Sequence, residues 1–435
     1  RNIMNRFAEE YASKKVTIQD VLHMIQSNDL IWTSYNGLEP QSFFRELHTI
    51  KDRVEHVIVR HAGLWKNYEF VSSPEMKGHF DVISSFYDEF ARACHDYQIS
   101  SYMPIHLHNG VARCLEDRHI NMFVGMVCPM DEHGYVHFSL NAYNEMDTVF
   151  RSDVVVMLVN KNLPVVGGDN LVHISDIDYI VEVEDPLITI EGSQPGETEM
   201  KIGANVASLV EDGSTIQLGI GNIPNAVGTY LAEKNDLGVH TEMITSIIAD
   251  LSESRVITGK KKTINRGKIV GSFALGNQRL YEYLDHNPEI ALMSGSYVND
   301  PRVICQNDRM VSINSCLQVD LTGQICSESM GHVQYSGTGG AADFAVGASH
   351  SKGGKSIVAV KSTAKKGTVS TIQPLLTPGA VVSISRNDID YIITEYGIAK
   401  IKGKSIAERV ENLIHIAHPK FRDELRQKAK DYKIW

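Results

Sequence analysis

The chain has 435 residues, of which 43% are hydrophobic, so it can bury at least one full core. Its formal net charge of −11 at pH 7 argues against nonspecific nucleic-acid binding, which needs a basic surface. Apolar runs such as Val154–Val159 are far shorter than the roughly 20 residues of a membrane helix, and no charged-then-apolar leader pattern opens the sequence. We therefore expect a cytoplasmic protein that binds neither nucleic acid nor membranes.

A long internal repeat begins near the N-terminus. Ile18–Leu47 reads as an amphipathic helix, an apolar strand, a turn with Gly37 and Pro40, and a second helix. Ile202–Leu231 reads the same way, 184 positions later (202 minus 18). A repeated supersecondary unit fixes the architecture of a chain before any single motif is weighed.

Histidines and cysteines do not follow a metal-binding pattern. His106 and His108 read as one face of a strand, where they would either bind a metal or form structural hydrogen bonds. No carboxylate or cysteine at ligand spacing completes a set, and the six cysteines are scattered without a CxxC pair. We expect reduced core thiols and no metal.

Two further matches extend the repeat along the chain. A turn at Asp131 recurs at Asp320, 189 positions later (320 minus 131), and the pentapeptide Asp176–Ile180 returns unchanged as Asp388–Ile392. Loop insertions in the second copy account for the rising offsets, because loops tolerate added residues. The sequence therefore predicts two related halves in tandem.

The boundary between the halves is predicted in Glu184–Glu199, a segment rich in glycine, proline and acidic residues. This places an N-terminal domain over residues 1–190 and a C-terminal domain over residues 198–435. Both halves alternate short β-branched strands, such as Ile357–Val360 and Ala380–Ile384, with helical patterns. The alternation predicts α/β domains with largely parallel sheets.

A βαβ unit is predicted in the second half, with Thr215–Gly221 and Gly238–Ile244 as its strands and Pro224–Lys234 as its helix. Parallel strands end at one edge of a sheet, where open α/β sheets bind ligands. Glu242 is therefore expected near the turn Gly219–Gly221 and a helix N-terminus that favours anions. A plain structural turn and a dinucleotide site remain alternatives, although the third glycine of the dinucleotide fingerprint is missing.

A second glycine cluster, Ser336–Gly340, precedes small residues and Asp343. Such a segment is either a functional loop close to substrate or a plain tight turn. A basic run follows it in an otherwise acidic chain, and comprises Lys352, Lys355, Lys361, Lys365 and Lys366. The run is either a solvated face or, beside two glycine loops, a site for a phosphate-bearing ligand.

Together these motifs resemble the acetyl-CoA hydrolase/transferase family, in particular its 4-hydroxybutyrate and butyrate:acetate CoA-transferases. The resemblance covers essentially the whole chain. It rests on five motifs in family order, which are Gly219–Pro224, Gly238–Ile244, Ser294–Asp300, Gly337–Phe344 and Ile416–Arg422.

The resemblance implies two structurally similar CoA-transferase-type α/β domains in tandem. It implies an enzyme that exchanges CoA between a short-chain acyl-CoA and a carboxylate, namely 4-hydroxybutyrate or butyrate with acetyl-CoA or acetate. Its small-molecule partners would be coenzyme A, acyl-CoA and carboxylates, with no metal, and a homo-oligomer is expected.

Carried over residue by residue, the resemblance implies that Glu242 is the nucleophile that becomes a glutamyl-CoA thioester in ping-pong turnover. Gly340 resembles the family's oxyanion donor, and Asn299 either positions substrate or is a structural amide. The implied CoA contacts are Gln217, Leu218, Gly219, Ile220, Gly221, Gly337, Gly339, Gly340 and Lys361. Lys365 is the alternative to Lys361.

Several alternatives stay open at this point. Glu328, in a Ser-Glu-Ser context, is the rival nucleophile, and an unperturbed glutamate pKa of about 4.3 predicts that either carboxylate is ionised at neutral pH. Water in place of an acceptor acid would make the protein a short acyl-CoA hydrolase, and a nonenzymatic CoA-binding module is the third reading. Ser246 and Ile247 replace the Asp-Gly usual after the nucleophile, and Ile247 would either line the acyl pocket or point into the core.

Overall fold

Parallel strands and helices alternate along the chain, as the sequence predicts. The computed structural model describes residues 3–435. By packing, the chain divides into unit 1, with residues up to Ile190 and Gly271–Tyr297, and unit 2, with Glu191–Val270 and Val298–Trp435. The predicted domains, residues 1–190 and 198–435, divide the chain at one place, whereas unit 1 also contains the later segment Gly271–Tyr297. The predicted domain boundary therefore stays a prediction.

Seven parallel strands form the main sheet of unit 1. The strands up to residue 190 are β1 (Leu30–Thr33), β2 (Val57–His61), β3 (Phe80–Ser84), β4 (Ser100–Tyr102), β5 (Ile120–Val127), β6 (Tyr135–His137), β7 (Ser152–Asn160), β8 (Leu171–His173) and β9 (Tyr179–Val183). The main sheet has the order β4-β3-β2-β1-β5-β7-β9. Ile31 of β1 lies between Val59 of β2 and Met122 of β5 in this register.

Short helices connect these strands. They are α1 (Ile3–Lys14), α2 (Ile18–Met24), α3 (Gln41–Glu46), α4 (Glu69–Ser72), α5 (Glu89–His95), α6 (Gly110–Cys114) and α7 (Glu145–Thr148). A capping box starts α2, because Thr17 Oγ1 accepts the Asp20 N–H while the Asp20 carboxylate accepts the Thr17 N–H. Within the described chain, no helix is both long enough and apolar enough to cross a membrane.

The second half repeats the pattern of strands. They are β10 (Thr215–Leu218), β11 (Gly238–Ile244), β12 (Ile269–Ala274), β13 (Ile290–Leu292), β14 (Met310–Ser315), β15 (Gln318–Asp320), β16 (Ile325–Cys326), β17 (Ser329–Met330), β18 (Val333–Gln334), β19 (Lys355–Ala359), β20 (Thr363–Ala364), β21 (Val369–Ser370), β22 (Ile372–Gln373), β23 (Tyr391–Thr394) and β24 (Gly397–Lys400). Within unit 2 the main strand order is β11-β10-β14-β19-β23-β24. Only β24 runs antiparallel to its neighbour there.

Helices of 4 to 11 residues connect the strands after residue 190. The helices after residue 190 are α8 (Glu197–Ala207), α9 (Asn222–Leu231), α10 (Ser246–Glu253), α11 (Gln278–Leu284), α12 (Gly295–Val298), α13 (Pro301–Ile304), α14 (Ala341–His350), α15 (Ile406–Ile416) and α16 (Arg422–Asp431). Apolar side chains of α15 and α16, such as Leu413 and Leu425, pack with Ile392 of β23 in one buried cluster. The cluster removes apolar surface from water and stabilises the C-terminal end of unit 2.

The internal repeat corresponds to equivalent structure in the two halves. Ile18–Leu47 contains α2, β1 and α3, and Ile202–Leu231 contains the end of α8, β10 and α9. Inside the repeated pentapeptide, Asp178 accepts the Val155 N–H at 2.8 Å, just before β9. In the second copy, Asp390 likewise accepts the N–H of Ser356 at 2.8 Å, just before β23. The prediction of two similar α/β halves with largely parallel sheets is confirmed.

Two local predictions are wrong. Ala380–Ile384 is not a strand, because only Ile384 forms a bridge, to Ile325, while Val381 and Val382 stay exposed. A β-branched run forms a strand only where a neighbour offers hydrogen bonds.

His106 and His108 lie in an irregular segment after β4, with ring centroids 5.9 Å apart, and not on a strand. Among residues 3–435, no group of three or more histidine, cysteine, aspartate or glutamate side chains is arranged to hold a metal.

Candidate active site

The end of β11 and the turn after β10 lie at the same edge of the unit 2 sheet. The two strands are parallel, with Thr215 beside Gly238 and Ile216 beside Val239. Gly221, at φ +118°, closes the turn and begins α9, a conformation that side-chain-bearing residues rarely adopt. Glu242 follows along β11 toward this edge. The βαβ unit expected from the sequence is present.

Three residues that the sequence singled out meet at the Glu242 carboxylate. Asn299 Nδ2 donates to Glu242 Oε2 at 3.0 Å, and the backbone N–H of Gly340 donates to the same carboxylate. A Cβ built on Gly340 would overlap Glu242 Oε2 and lie 2.7 Å from Asn299 Nδ2. Only glycine therefore fits at position 340 in this arrangement. The side chain of Asn299 is fully buried, and Glu242 is partly accessible.

Burial changes the acid–base behaviour of Glu242. Removal from water raises the pKa of this carboxyl to about 7, and the charge of Asp343 also raises it, while the bonds from Asn299 and Gly340 lower it. At neutral pH the protonated and ionised forms of this carboxyl therefore coexist, whereas an unperturbed glutamate would be almost fully ionised.

His240, which the sequence analysis did not single out, holds the backbone next to Asn299. It lies two residues before Glu242 on β11, and its ring nitrogen Nε2 donates to the carbonyl oxygen of Val298 at 2.7 Å. Burial lowers the pKa of His240 to about 3, so the ring is neutral at physiological pH. Because Val298 precedes Asn299, this bond fixes the segment that carries the amide. The sequence contained one indication of this role, because residues two positions apart on a strand, such as His240 and Glu242, lie on the same face.

Glu328, the rival nucleophile, is engaged as an anchor of the glycine loop. Its carboxylate is buried and accepts hydrogen bonds from Ser383 Oγ at 2.8 Å, from Gln334 Nε2 at 3.3 Å and from the hydroxyl of Thr338. Thr338 lies within the loop that ends at Gly340. The Glu328 carboxylate is thus engaged in holding the loop in place.

The predicted CoA-binding stretch after β10 divides into two parts. The Gln217 amide is bound to β14, since Nε2 donates to Asn314 Oδ1 and Oε1 accepts the Ile313 N–H, both at 3.2 Å. Leu218 is fully buried, so only its backbone is available to a ligand. The exposed part is the turn, in which a Cβ on Gly219 would meet no heavy atom within 4 Å and Ile220 is 42% exposed.

The remaining predicted contacts lie on two loops of unit 2. Gly337 is buried, and Gly339 adopts φ +58°, so both shape the loop that leads into α14. Lys361 follows β19 with a half-exposed side chain, and its Nζ pairs with Glu199 Oε1 at 2.8 Å. Lys365, its alternative, lies in the tight turn between β20 and β21 at φ +48°. Both lysines stay candidates for a phosphate contact.

Comparison with known proteins identifies relatives along nearly the whole chain. Residues 2–191 match the acetyl-CoA hydrolase/transferase N-terminal domain, and residues 276–429 match the acetyl-CoA hydrolase/transferase C-terminal domain. The 4-hydroxybutyrate coenzyme A transferase of Clostridium kluyveri is 41% identical over 97% of this chain and 98% of its own. The butyryl-CoA:acetate CoA-transferase of Anaerostipes caccae is 37% identical over 99% of this chain and 98% of its own.

A solved structure agrees with these relatives. The crystal structure of RipA from Yersinia pestis superposes with a TM-score of 0.93 at 35% identity, and the match covers 99% of this chain and 100% of that one.

Substitution of Gly340 by alanine tests the contact at the carboxylate. The added Cβ must displace Glu242 or Asn299, so we expect a loss of stability of about 1–3 kcal/mol, as for overpacking in a core. Thermal unfolding at pH 7 measures it. Gly167→Ala is the matched control, because there the nearest atom to the added Cβ is the Ile290 carbonyl oxygen, at 3.7 Å. Equal midpoints for the two variants would show that position 340 has room for a methyl group.

Proposed function

Because this chain belongs to the acetyl-CoA hydrolase/transferase family and is a CoA-transferase, we propose that it exchanges CoA between short acids through a glutamyl-CoA thioester on Glu242. The acids proposed are 4-hydroxybutyrate or butyrate, with acetyl-CoA or acetate as the other pair. The observation that supports this most is the carboxylate of Glu242, held by an amide and a backbone N–H in a partly buried position.

The proposed reaction begins with attack of the ionised Glu242 carboxylate on the thioester carbonyl of the donor. A C–O bond forms, the C–S bond breaks, and CoA leaves as thiolate from a mixed anhydride. The thiolate then attacks the glutamyl carbonyl, which releases the donor acid and leaves the glutamyl-CoA thioester. The acceptor carboxylate passes through the same steps in reverse, so turnover is ping-pong.

Each step passes through a tetrahedral oxyanion, and two groups beside Glu242 are suited to stabilise it. The backbone N–H of Gly340 and the Nδ2 group of Asn299 already point at the carboxylate oxygen. One such donor contributes roughly 3–4 kcal/mol to the transition state. Gly340 would therefore act as oxyanion donor and Asn299 as the group that orients the nucleophile.

CoA is proposed to bind along the exposed loops of unit 2. The turn Gly219–Gly221 is proposed to present backbone N–H groups to the ligand, because a Cβ on Gly219 would meet no heavy atom within 4 Å and Ile220 is exposed, and the helix start at Asn222 favours an anion. The loop with Gly337 and Gly339 and the ammonium group of Lys361 would supply further contacts, with Lys361 sharing its charge between Glu199 and a phosphate. Gln217 and Leu218 support the turn from within the sheet.

Covalent labelling tests the nucleophile. Acetyl-CoA alone should convert the protein to a CoA adduct, because return of the thiolate to the anhydride needs no second substrate. Intact-mass spectrometry is expected to find the adduct on the wild type and none on Glu242→Ala. Glu328→Gln, which removes the rival carboxylate and keeps its shape, should still form it. An adduct that persists without Glu242 and disappears without Glu328 would reverse the assignment.

The raised pKa of Glu242 predicts the pH profile of the reaction. Attack needs the ionised form, so kcat/KM should fall about tenfold per pH unit well below the pKa and level off above about 7. Since Asp343 raises that pKa, Asp343→Asn should shift the acidic limb to lower pH. Both effects can be measured from the rates of the wild type and of this variant between pH 5 and 9, in steps of about half a pH unit. An acidic limb unchanged in the variant would contradict the electrostatic role of Asp343.

A carboxylic acid is proposed as the acceptor, in place of water. Ile247 lies in α10, and a Cβ on Gly228 of α9 would overlap it, so its side chain packs against that helix. This contact favours the alternative in which Ile247 points toward the core and does not select alkyl chains. Loss of acetyl-CoA should accelerate on addition of butyrate or 4-hydroxybutyrate, and the new acyl-CoA should accumulate. Equal loss of acetyl-CoA with and without an added acid would instead identify a hydrolase.

A further inference from the structure

Unit 1 contains a cavity of about 360 Å³ on one face of its seven-stranded sheet. Three neighbouring strands contribute Trp32, Arg60 and Ile83, and the segments around β4 and α6 contribute Ile105, Arg113 and Arg118. Sites for small molecules commonly enclose about 300–1,000 Å³. The cavity is therefore large enough for a small organic ligand.

Arg60 is the most unusual group in this cavity. It is 3% exposed, its Nε is buried without a hydrogen-bond partner, and its guanidinium group lies 5.1 Å from the Trp32 ring centroid. Carbonyl oxygens accept from its Nη1, those of His61 at 2.9 Å and, weakly, Ile83 at 3.5 Å, and the Cys114 side chain is a further hydrogen-bond partner of the guanidinium group.

No carboxylate among residues 3–435 forms an ion pair with Arg60, and the ionisable groups that act on it are Tyr35, Cys114 and Tyr143. Phenols and thiols are ordinarily neutral at pH 7. A buried guanidinium without a counter-ion is unfavourable because it has lost its hydration, and an anion in the cavity would offset that cost.

The other lining residues define the chemistry of the anion. Arg113 and Arg118 are exposed at the cavity, with Asp117 as its one acidic lining residue, so positive charge prevails. Arg113 also pairs with Glu116 on the surface, which leaves Arg118 as the more available cation. Apolar side chains such as Ile83 and Ile105 complete the wall, and they favour an alkyl chain over a fully hydrated inorganic ion.

We propose that this cavity binds a short-chain carboxylate, with its carboxylate group on Arg60 and its alkyl chain along Ile83 and Ile105. A planar guanidinium group suits a carboxylate because it can donate two parallel hydrogen bonds. The site lies wholly in unit 1 and goes beyond the function proposed for Glu242. The acid is either the acceptor of the transfer reaction or a separate effector, and both have this same chemistry.

Trp32 provides the readout for a binding test. The chain has three tryptophans, and replacing Trp65 and Trp435 by phenylalanine leaves Trp32 as the sole reporter. Titration with butyrate, succinate or inorganic phosphate at constant ionic strength, without CoA, should give saturable quenching with the two organic acids. Arg60→Gln should weaken that binding at least about tenfold, since a charged hydrogen bond is lost. Arg151→Gln, at an exposed arginine elsewhere in unit 1, is the matched control.

A second variant keeps the test decisive if Arg60→Gln does not fold. Arg118→Glu reverses an exposed charge beside the cavity, leaves Arg60 in place, and should also weaken binding. Absence of saturable quenching in the parent protein, or equal affinities in the Arg118 and Arg151 variants, would overturn the proposal. Binding of phosphate as tight as that of butyrate would overturn the choice of a carboxylate.

Kinetics separate the two sources of the acid. If the acid is the acceptor, Arg118→Glu should raise the KM for butyrate, and if it is an effector, that KM should stay constant while the fluorescence affinity falls. Adduct formation from acetyl-CoA alone reports on Glu242 independently. A failed fluorescence test thus leaves the glutamyl-CoA proposal standing, and a missing adduct leaves the cavity proposal standing.

Discussion

The contact between the Glu242 carboxylate and the backbone of Gly340 constrains the rest of the catalytic region. No side chain fits between them, so β11, which carries the acid, and α14, which begins at Gly340, must hold their separation closely. Asn299 has to reach the same carboxylate from a third segment. Three segments of the chain therefore converge on one carboxylate, and the buried bonds around them serve to keep that geometry.

Two of those buried bonds are made by residues that take no direct part in the proposed reaction. The neutral His240 ring holds the Val298 carbonyl beside Asn299, and the Glu328 carboxylate holds Thr338 in the loop before Gly340. Each holds a segment that donates to Glu242, and neither holds Glu242 itself. Two glutamates lie in plausible sequence contexts, and their surroundings distinguish them. Hydroxyl and amide donors satisfy the buried Glu328 carboxylate, while Glu242 keeps some access to solvent.

The local part of the site could be predicted from the sequence, and the long-range part could not. Hydrophobic patterns and turn residues predicted β10, α9 and β11, and the repeat predicted two related halves. The equivalent hydrogen bonds of Asp178 and Asp390 in the repeated pentapeptide became apparent only in the structure. The meeting of Asn299 and Gly340 with Glu242 was expected only through family resemblance, since they are far apart in sequence. The contiguous stretch also crosses the end of a strand, which is why Leu218, the last residue of β10, is buried while Ile220 in the following turn is exposed. The raised pKa of Glu242 could not be predicted either, because it depends on burial, and the spacing of residues in a sequence does not show how deeply a side chain is buried.

The balance of forces on Glu242 suits covalent catalysis better than a simple ion pair would. A cation beside the carboxylate would lower its pKa and hold its electron pairs, which weakens a nucleophile. Here the groups that lower the pKa are two amides, one from Asn299 and one from the backbone of Gly340, and burial with Asp343 opposes them. The acid consequently titrates near neutrality, where enough of it is ionised to react and the anion is less stabilised than in water. In the proposed reaction the same amide donors would lie where negative charge develops on an adjacent carbonyl oxygen, so one arrangement would both prepare the nucleophile and stabilise the transition state.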